Sequence, residues 1–214
     1  MKVQRIATGP FQENAYLVID ETARMAALVD PGEDAERLLD MAASAGVTIE
    51  AIWLTHGHVD HVGAVAAVKK ATGAPVHLHP LERPLYDAAV QHGLLFGVRI
   101  EPPPPPDHDF SSGQILELSS LRFTVMHAPG HAPGHVVLHG HGVAFVGDCL
   151  FAGSIGRTDL PLANPANLAR TLAALAELPD ATIVYPGHGP ETTIGEEKRS
   201  NPFLNGSARI AGSR

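Results

Sequence analysis

The tightest constraint on the fold lies in ten residues, Leu54 to Gly63, which read LTHGHVDHVG and set His56, His58, Asp60 and His61 directly after the apolar run Ala51-Ile52-Trp53-Leu54. Imidazole nitrogen and carboxylate oxygen are the ligands that borderline cations such as zinc accept. A spacing of two between His56, His58 and Asp60 gathers side chains in an extended or curled loop, whereas a helix needs spacings of three or four. The preceding IEAIWLT reads as a strand. The following segment, Val62 to Thr72, has apolar residues at Val62, Val65, Ala66 and Val68 with a stop at Gly73, and reads as a helix. The chain must therefore hold four ligand-type side chains between a strand end and a helix start, with Asp60 placed to cap that helix.

The rest of the chain supplies strands in two batches. VQRIA and NAYLVID form a hairpin around Gly9-Pro10, and MAALVD is a buried strand ending at Asp30-Pro31-Gly32. A helix is expected over Glu33 to Ala45, stopped by Gly46, then a short strand in PVHLH and a helix over Leu81 to His92. The segment Glu101 to Asp107 contains five consecutive prolines; it has to be extended and cannot enter a sheet interior, so it is expected as a stiff surface loop within one domain. QILEL, LRFTVMHA, HVVLHG and GVAFVGD follow as strands. Asn164-Pro165 starts a helix through LARTLAALAEL, TIVYPGHG is a last strand, and a short helix is expected around Glu191 to Lys198. Two batches of strands, each followed by helices, predict two mixed β-sheets packed face to face with helices on both outer faces.

Composition narrows the function classes. Against 23 acidic residues stand 15 basic ones, and the net charge of -8 opposes nonspecific attraction to nucleic acid or an anionic membrane. The N-terminal residues lack a signal-type apolar core and no run of 18 apolar residues exists, so neither export nor a transmembrane helix is expected. The one cysteine, Cys149, has no internal disulfide partner, which fits a reducing cytoplasm, and 13 histidines point to imidazole and carboxylate chemistry.

Three more strand ends carry ligand-type residues: Ala128-Pro129-Gly130-His131 with His135 after LRFTVM, Gly147-Asp148 after VAFV, and Pro186-Gly187-His188 after TIVY. Loops at the ends of rigid strands are where side chains from distant sequence converge. The order HGHVDH, PGH, GD, PGH resembles the metallo-β-lactamase fold superfamily from Met1 to about Pro202. GDCLFAGSIGRTDLP and TTIGEEKRSNPF most resemble hydroxyacylglutathione hydrolases (glyoxalase II) and their shorter bacterial relatives. The resemblance implies an α/β fold, a four-layer αββα sandwich with the metal site at one edge of the sheets. It also implies one domain over 1–214 without the C-terminal helical domain of full-length glyoxalase II.

Carried over residue by residue, the resemblance makes His56, His58 and His131 ligands of one divalent ion and Asp60, His61 and His188 ligands of a second, with Asp148 bridging them. Zinc is the first expectation, and iron and manganese suit the same ligands. The implied reaction is hydrolysis of S-lactoylglutathione or a related thioester by a hydroxide held between the ions, which Asp60 also orients. Arg157 and Lys198 match positions that contact glutathione in that family, while Gly189-Pro190 stands where it has an acid and a tyrosine. The alternatives on the same fold are a persulfide dioxygenase with one iron on His56, His131 and Asp148, and another esterase or lactonase. Asp30 matches a supporting aspartate or closes a turn, and His135 is expected to support a ligand. Cys149 is expected to pack away from the metals, and His77 and His79 to be plain sheet residues. His92, His108, His127, His139 and His141 belong to no motif.

Overall fold

The computed structural model describes residues 1–212. The first sheet contains β1 (Lys2–Thr8), β2 (Glu13–Asp20), β3 (Met25–Val29), β4 (Thr48–Trp53), β5 (Val76–Leu78) and β6 (His108–Asp109) side by side in chain order. Its hairpins β1–β2 and β2–β3 are antiparallel, and β3 to β6 run parallel. The second sheet uses β7 (Ile115–Leu118), β8 (Leu121–His127), β9 (Val136–Gly140) and β10 (Val143–Gly147). A two-stranded ribbon of β11 (Leu150–Phe151) and β12 (Ser154–Ile155) follows, and β13 (Ile183–Pro186) and β14 (Thr192–Thr193) complete the second sheet in the order β14-β13-β10-β9-β8-β7.

Alternation within the strands decides the layers. Tyr16 and Val18 of β2, Trp53 of β4, Phe123 and Val125 of β8 and Phe145 of β10 pack together between the sheets. The opposite faces are also covered. Leu17 and Leu28 pack under α1 (Ala35–Ala45) and, across the break that follows α2 (Val59–Val62), under α3 (Val65–Thr72). The pair α4 (Arg83–Asp87) and α5 (Ala89–Leu95) continues that layer through Tyr86 and Ala89. On the far side, Val137, Ala144 and Val184 pack under α6 (Pro165–Leu175), and Ile194 of α7 (Ile194–Ser200) joins them. The result is the expected αββα sandwich, and burial on both faces explains why β2 and β10 lack polar alternation.

Several boundaries differ from the sequence reading. The helix expected from Val62 starts at Val59 and breaks at Gly63, where a Cβ would stand 2.4 Å from the Gly32 carbonyl oxygen of the neighbouring loop. His58, not Asp60, is the N-cap, and no side chain caps that end. The helix expected over Leu81 to His92 is a 3-10 turn at Pro80–Glu82 followed by α4 and α5: Pro84 lacks the N–H that would carry the first turn on as one helix, and a second break falls at Ala88. The final helix runs from Ile194 to Ser200 with Thr193 as its side-chain cap. The proline segment lies along the first sheet: Tyr86 Oη donates to the Pro104 carbonyl at 2.8 Å, and Asp107 accepts from the Val76 N–H at 2.7 Å. No helix among the described residues is long and apolar enough to cross a membrane.

Candidate metal centre

Four strand ends meet at one edge of the sandwich. The loop after β4 carries His56 and His58, α2 carries Asp60 and His61, and the ends of β8, β10 and β13 supply His131, Asp148 and His188. Their ligand atoms form close sets: His56, His58 and His131; His56, His61 and Asp148; Asp60, His61 and His188. Within each set the atoms lie within 4.8 Å of one another. Between the sets, Asp148 Oδ1 is 3.4 Å from His61 Nε2, and Asp148 Oδ2 is 3.5 Å from His131 Nε2 and 3.7 Å from His188 Nε2. All seven residues expected as ligands are therefore brought together.

The donor set fits cations. His56 Nε2, His61 Nε2 and Asp148 Oδ1 are buried and have no hydrogen-bond partner among the described residues. Buried polar atoms are normally satisfied, so three unpartnered ligand-type atoms on residues of one close set call for a positive ion. Burial, followed by the neighbouring imidazoles His61 and His58, holds His56 well below its ordinary range. Burial and His131 hold His58 down to about 3. Both rings are thus in the neutral form that ligates. Burial alone would raise Asp148, but His61, His131 and His188 outweigh it and keep the carboxyl far below its usual range. Burial likewise opposes charge on His61, and the carboxylates of Asp148 and Asp60 reverse that and raise it.

Residues behind the ligands fix their orientation. Asp30 ends β3 with φ 48, a left-handed conformation that Asp tolerates better than most residues. Its carboxylate accepts from the Thr55 N–H at 2.7 Å and the Thr55 hydroxyl at 2.6 Å, and faces His61 Nδ1 at 3.1 Å. Thr55 Oγ1 lies 3.0 Å from His56 Nδ1. His135 is fully buried, stacks on His56 and accepts from the Asp148 N–H at 3.1 Å. Gly187 passes so close that a Cβ would lie 2.2 Å from Asp148 Oδ1. Cys149 turns its sulfur to the Ala128 carbonyl and His135 and packs in the cluster behind the second sheet.

Two buried carboxylates were not anticipated. Glu82, in the 3-10 turn, accepts from the Gly57 N–H at 2.8 Å and the Gly134 N–H at 2.6 Å, joining the loop of His56 and His58 to that of His131 and His135. Burial pushes its carboxyl up to about 7. Glu13 lies 3.7 Å from His61 Nδ1, and burial raises it well above the carboxylate range. No local signal marks either: Glu82 sits among prolines and Glu13 opens an apolar strand.

A cavity of ≈ 530 Å³ opens onto Asp60, Asp148 and His188. Arg157 lies on its wall, with its carbonyl 2.9 Å from His131 Nδ1 and its guanidinium held by both oxygens of Asp159. Lys198 is paired with Asp180 at 2.8 Å and is not on that wall. His92 does line the cavity, a place its sequence context did not suggest. His77 lies against His108, and His79 stacks on His127; neither belongs to a ligand cluster among the described residues. His141 accepts from the Arg122 N–H at 2.9 Å.

The family model of the metallo-beta-lactamase superfamily matches residues 8–188, a span that includes every residue of the cluster. The chain belongs to this superfamily. Metallo-beta-lactamase superfamily members are mostly metal-dependent hydrolases, and their fold binds divalent metal. Hydroxyacylglutathione hydrolase GloC of Haemophilus influenzae is 39% identical over 210 residues, which are 96% of this chain and 99% of the relative. Three solved structures are similar. One is TTHA1623 in a di-iron-bound form, with TM-score 0.87 and 47% identity over 94% of this chain and 100% of the other. BLEG-1 B3 metallo-beta-lactamase has TM-score 0.88 and 41% identity over 95% and 99%. ETHE1 from Myxococcus xanthus has TM-score 0.82 and 30% identity over 96% and 85%.

Proposed function

We propose that the protein is a metal-dependent thioester hydrolase acting on S-lactoylglutathione or a related S-acylglutathione. The observation that carries the reading is the convergence of seven donor residues at one edge of the sandwich, three of them with unpartnered buried ligand atoms and five of them lining an open cavity. It is supported by the identity with the hydroxyacylglutathione hydrolase of H. influenzae. His56, His58 and His131 would hold one divalent ion, Asp60, His61 and His188 a second, and Asp148 would face both. Zinc, iron and manganese all suit these donors. Bound there, such ions acidify water toward neutral pH and polarise a carbonyl.

The protein's own residues do the rest. Asp60 lies on the cavity wall with Oδ2 3.3 Å from His188 Nε2, so it can accept a hydrogen bond from the attacking water and orient it toward the carbonyl. Thr55 and Asp30 hold His56 and His61 in fixed rotamers, and the His135 contact with the Asp148 backbone keeps that carboxylate at the centre. Addition of water breaks the carbon–sulfur bond, giving a carboxylic acid and a thiol. A thiolate leaves readily, and the site accordingly needs no strong general acid.

The test is thiol release from S-lactoylglutathione by metal-loaded protein. The native chain should turn over, and His56→Ala and Asp148→Ala should lose both bound metal and turnover. Unchanged activity in Asp148→Ala, or no thiol release from any thioester by fully loaded protein, overturns the proposal. One iron per chain with oxygen uptake on a glutathione persulfide would replace it with the dioxygenase reading.

A further inference from the structure

We infer that the cavity selects substrates by an apolar acyl group, a specificity that rests on the thioesterase reading above and deepens it. The floor is polar, but much of the wall is apolar. Leu85, Leu95 and Phe96 from the α4–α5 region, Phe151 and Leu160, and Phe11 from the β1–β2 turn all line it. Phe11 and Phe96 meet edge to face, with ring centroids 5.7 Å apart.

Three of these residues are exposed to an unusual degree for their type: Leu95 is 80% exposed, Phe96 57% and Phe11 36%. Large apolar side chains contiguous with a functional floor mark a surface that a ligand covers. The cavity, at ≈ 530 Å³, is within the size range of small-molecule sites and is far larger than a lactoyl group.

Charge supports the same conclusion. Arg157 is the one lysine or arginine on the wall, and its Nε and Nη2 groups both donate to Asp159. Lys198 is committed to Asp180 and lies off the wall. The wall therefore offers the two carboxylates of a glutathione peptide a single arginine or lysine, one whose guanidinium is already paired with Asp159. Selectivity has to come from what the wall does offer, which is apolar area beside the position of the scissile carbonyl. The peptide end of the substrate extends toward the rim.

Two series test this on metal-loaded protein. The first measures kcat/KM for acetyl-, lactoyl-, butyryl- and hexanoylglutathione. The second measures calorimetric affinity for the uncleavable S-methyl-, S-butyl- and S-hexylglutathione. Each fully buried methylene is worth about fourfold, so S-hexylglutathione should bind at least about tenfold more tightly than S-methylglutathione, with kcat/KM rising in parallel. Phe96→Ser, at an exposed position that the fold tolerates, should flatten both series. Equal affinities along the alkyl series, or a slope that Phe96→Ser does not change, overturn the inference. An alkyl slope without cleavage of any thioester leaves the apolar site standing and removes the thioesterase reading; uniform cleavage with a flat alkyl series does the reverse.

Discussion

Replacing Glu82 with glutamine separates two effects that the wild-type carboxyl combines. Glu82 is fully buried, and its carboxyl is raised from 4.5 to about 7 by burial, which the N–H groups of Gly57 and Gly134 only partly offset. Below pH 4.5 the group is protonated in folded and unfolded chains alike and adds no pH dependence. Between 4.5 and about 7 the unfolded chain releases its proton while the folded chain keeps it, so folding stability falls as pH rises, and the loss is complete above about 7. At about 1.4 kcal/mol per pH unit, that interval corresponds to about 3 kcal/mol. Glutamine removes the titration but turns an NH2 group toward one of the two amide donors, leaving that donor unsatisfied at a cost of about 1–3 kcal/mol. Glu82→Gln should thus be less stable than the native protein near pH 5, and the gap should close or reverse by pH 7.5. Urea unfolding of metal-free protein, followed by the fluorescence of buried Trp53, measures both curves. Parallel curves across that range would refute the reasoning, because histidine titrations common to both proteins cancel in the difference.

Two further substitutions probe the metal cluster and its scaffold. Gly187→Ala puts a methyl 2.2 Å from Asp148 Oδ1 and 2.7 Å from His61 Cε1, so metal analysis should find fewer ions per chain than in the native protein; full occupancy would contradict the close approach. Asn164→Ala removes the side-chain acceptor of the Asn167 N–H at the start of α6 and should cost about 1 kcal/mol in urea unfolding, with metal content unchanged because the backbone bond from the Asn164 N–H to the Gly130 carbonyl, which ties α6 to the His131 loop, is kept.

The candidate ligands were legible because they cluster at or just beyond the ends of apolar strands, and strand ends are where the chemistry of this architecture gathers. The layers were legible for a related reason: strands buried on both faces read as unbroken apolar runs that only covering helices can explain. The supporting groups were not. Glu82 and Glu13 act across sequence separations that no local pattern encodes, and their importance comes from burial, which appears only when two loops close over them. The break at Gly63 is also invisible locally, since there the Ala64 N–H leaves the helical pattern and donates to the Pro31 carbonyl of another loop at 3.0 Å. Lys198 shows the converse. Its position in the motif suggested a ligand contact, whereas the three-dimensional arrangement gives its ammonium to Asp180.

The division of donors between the sheets has a mechanical consequence. His56 and His58 extend from the first sheet and His131 from the second; Asp60 and His61 extend from the first and His188 from the second. Each cation would therefore bridge the two jaws of a caliper whose opening is set by the rings wedged between them, Trp53 against Phe123 at 5.6 Å among them. The spacing of the donors is then a property of the whole sandwich, and a core residue far from the cavity tunes the grip on the ions by changing how far the jaws stand apart.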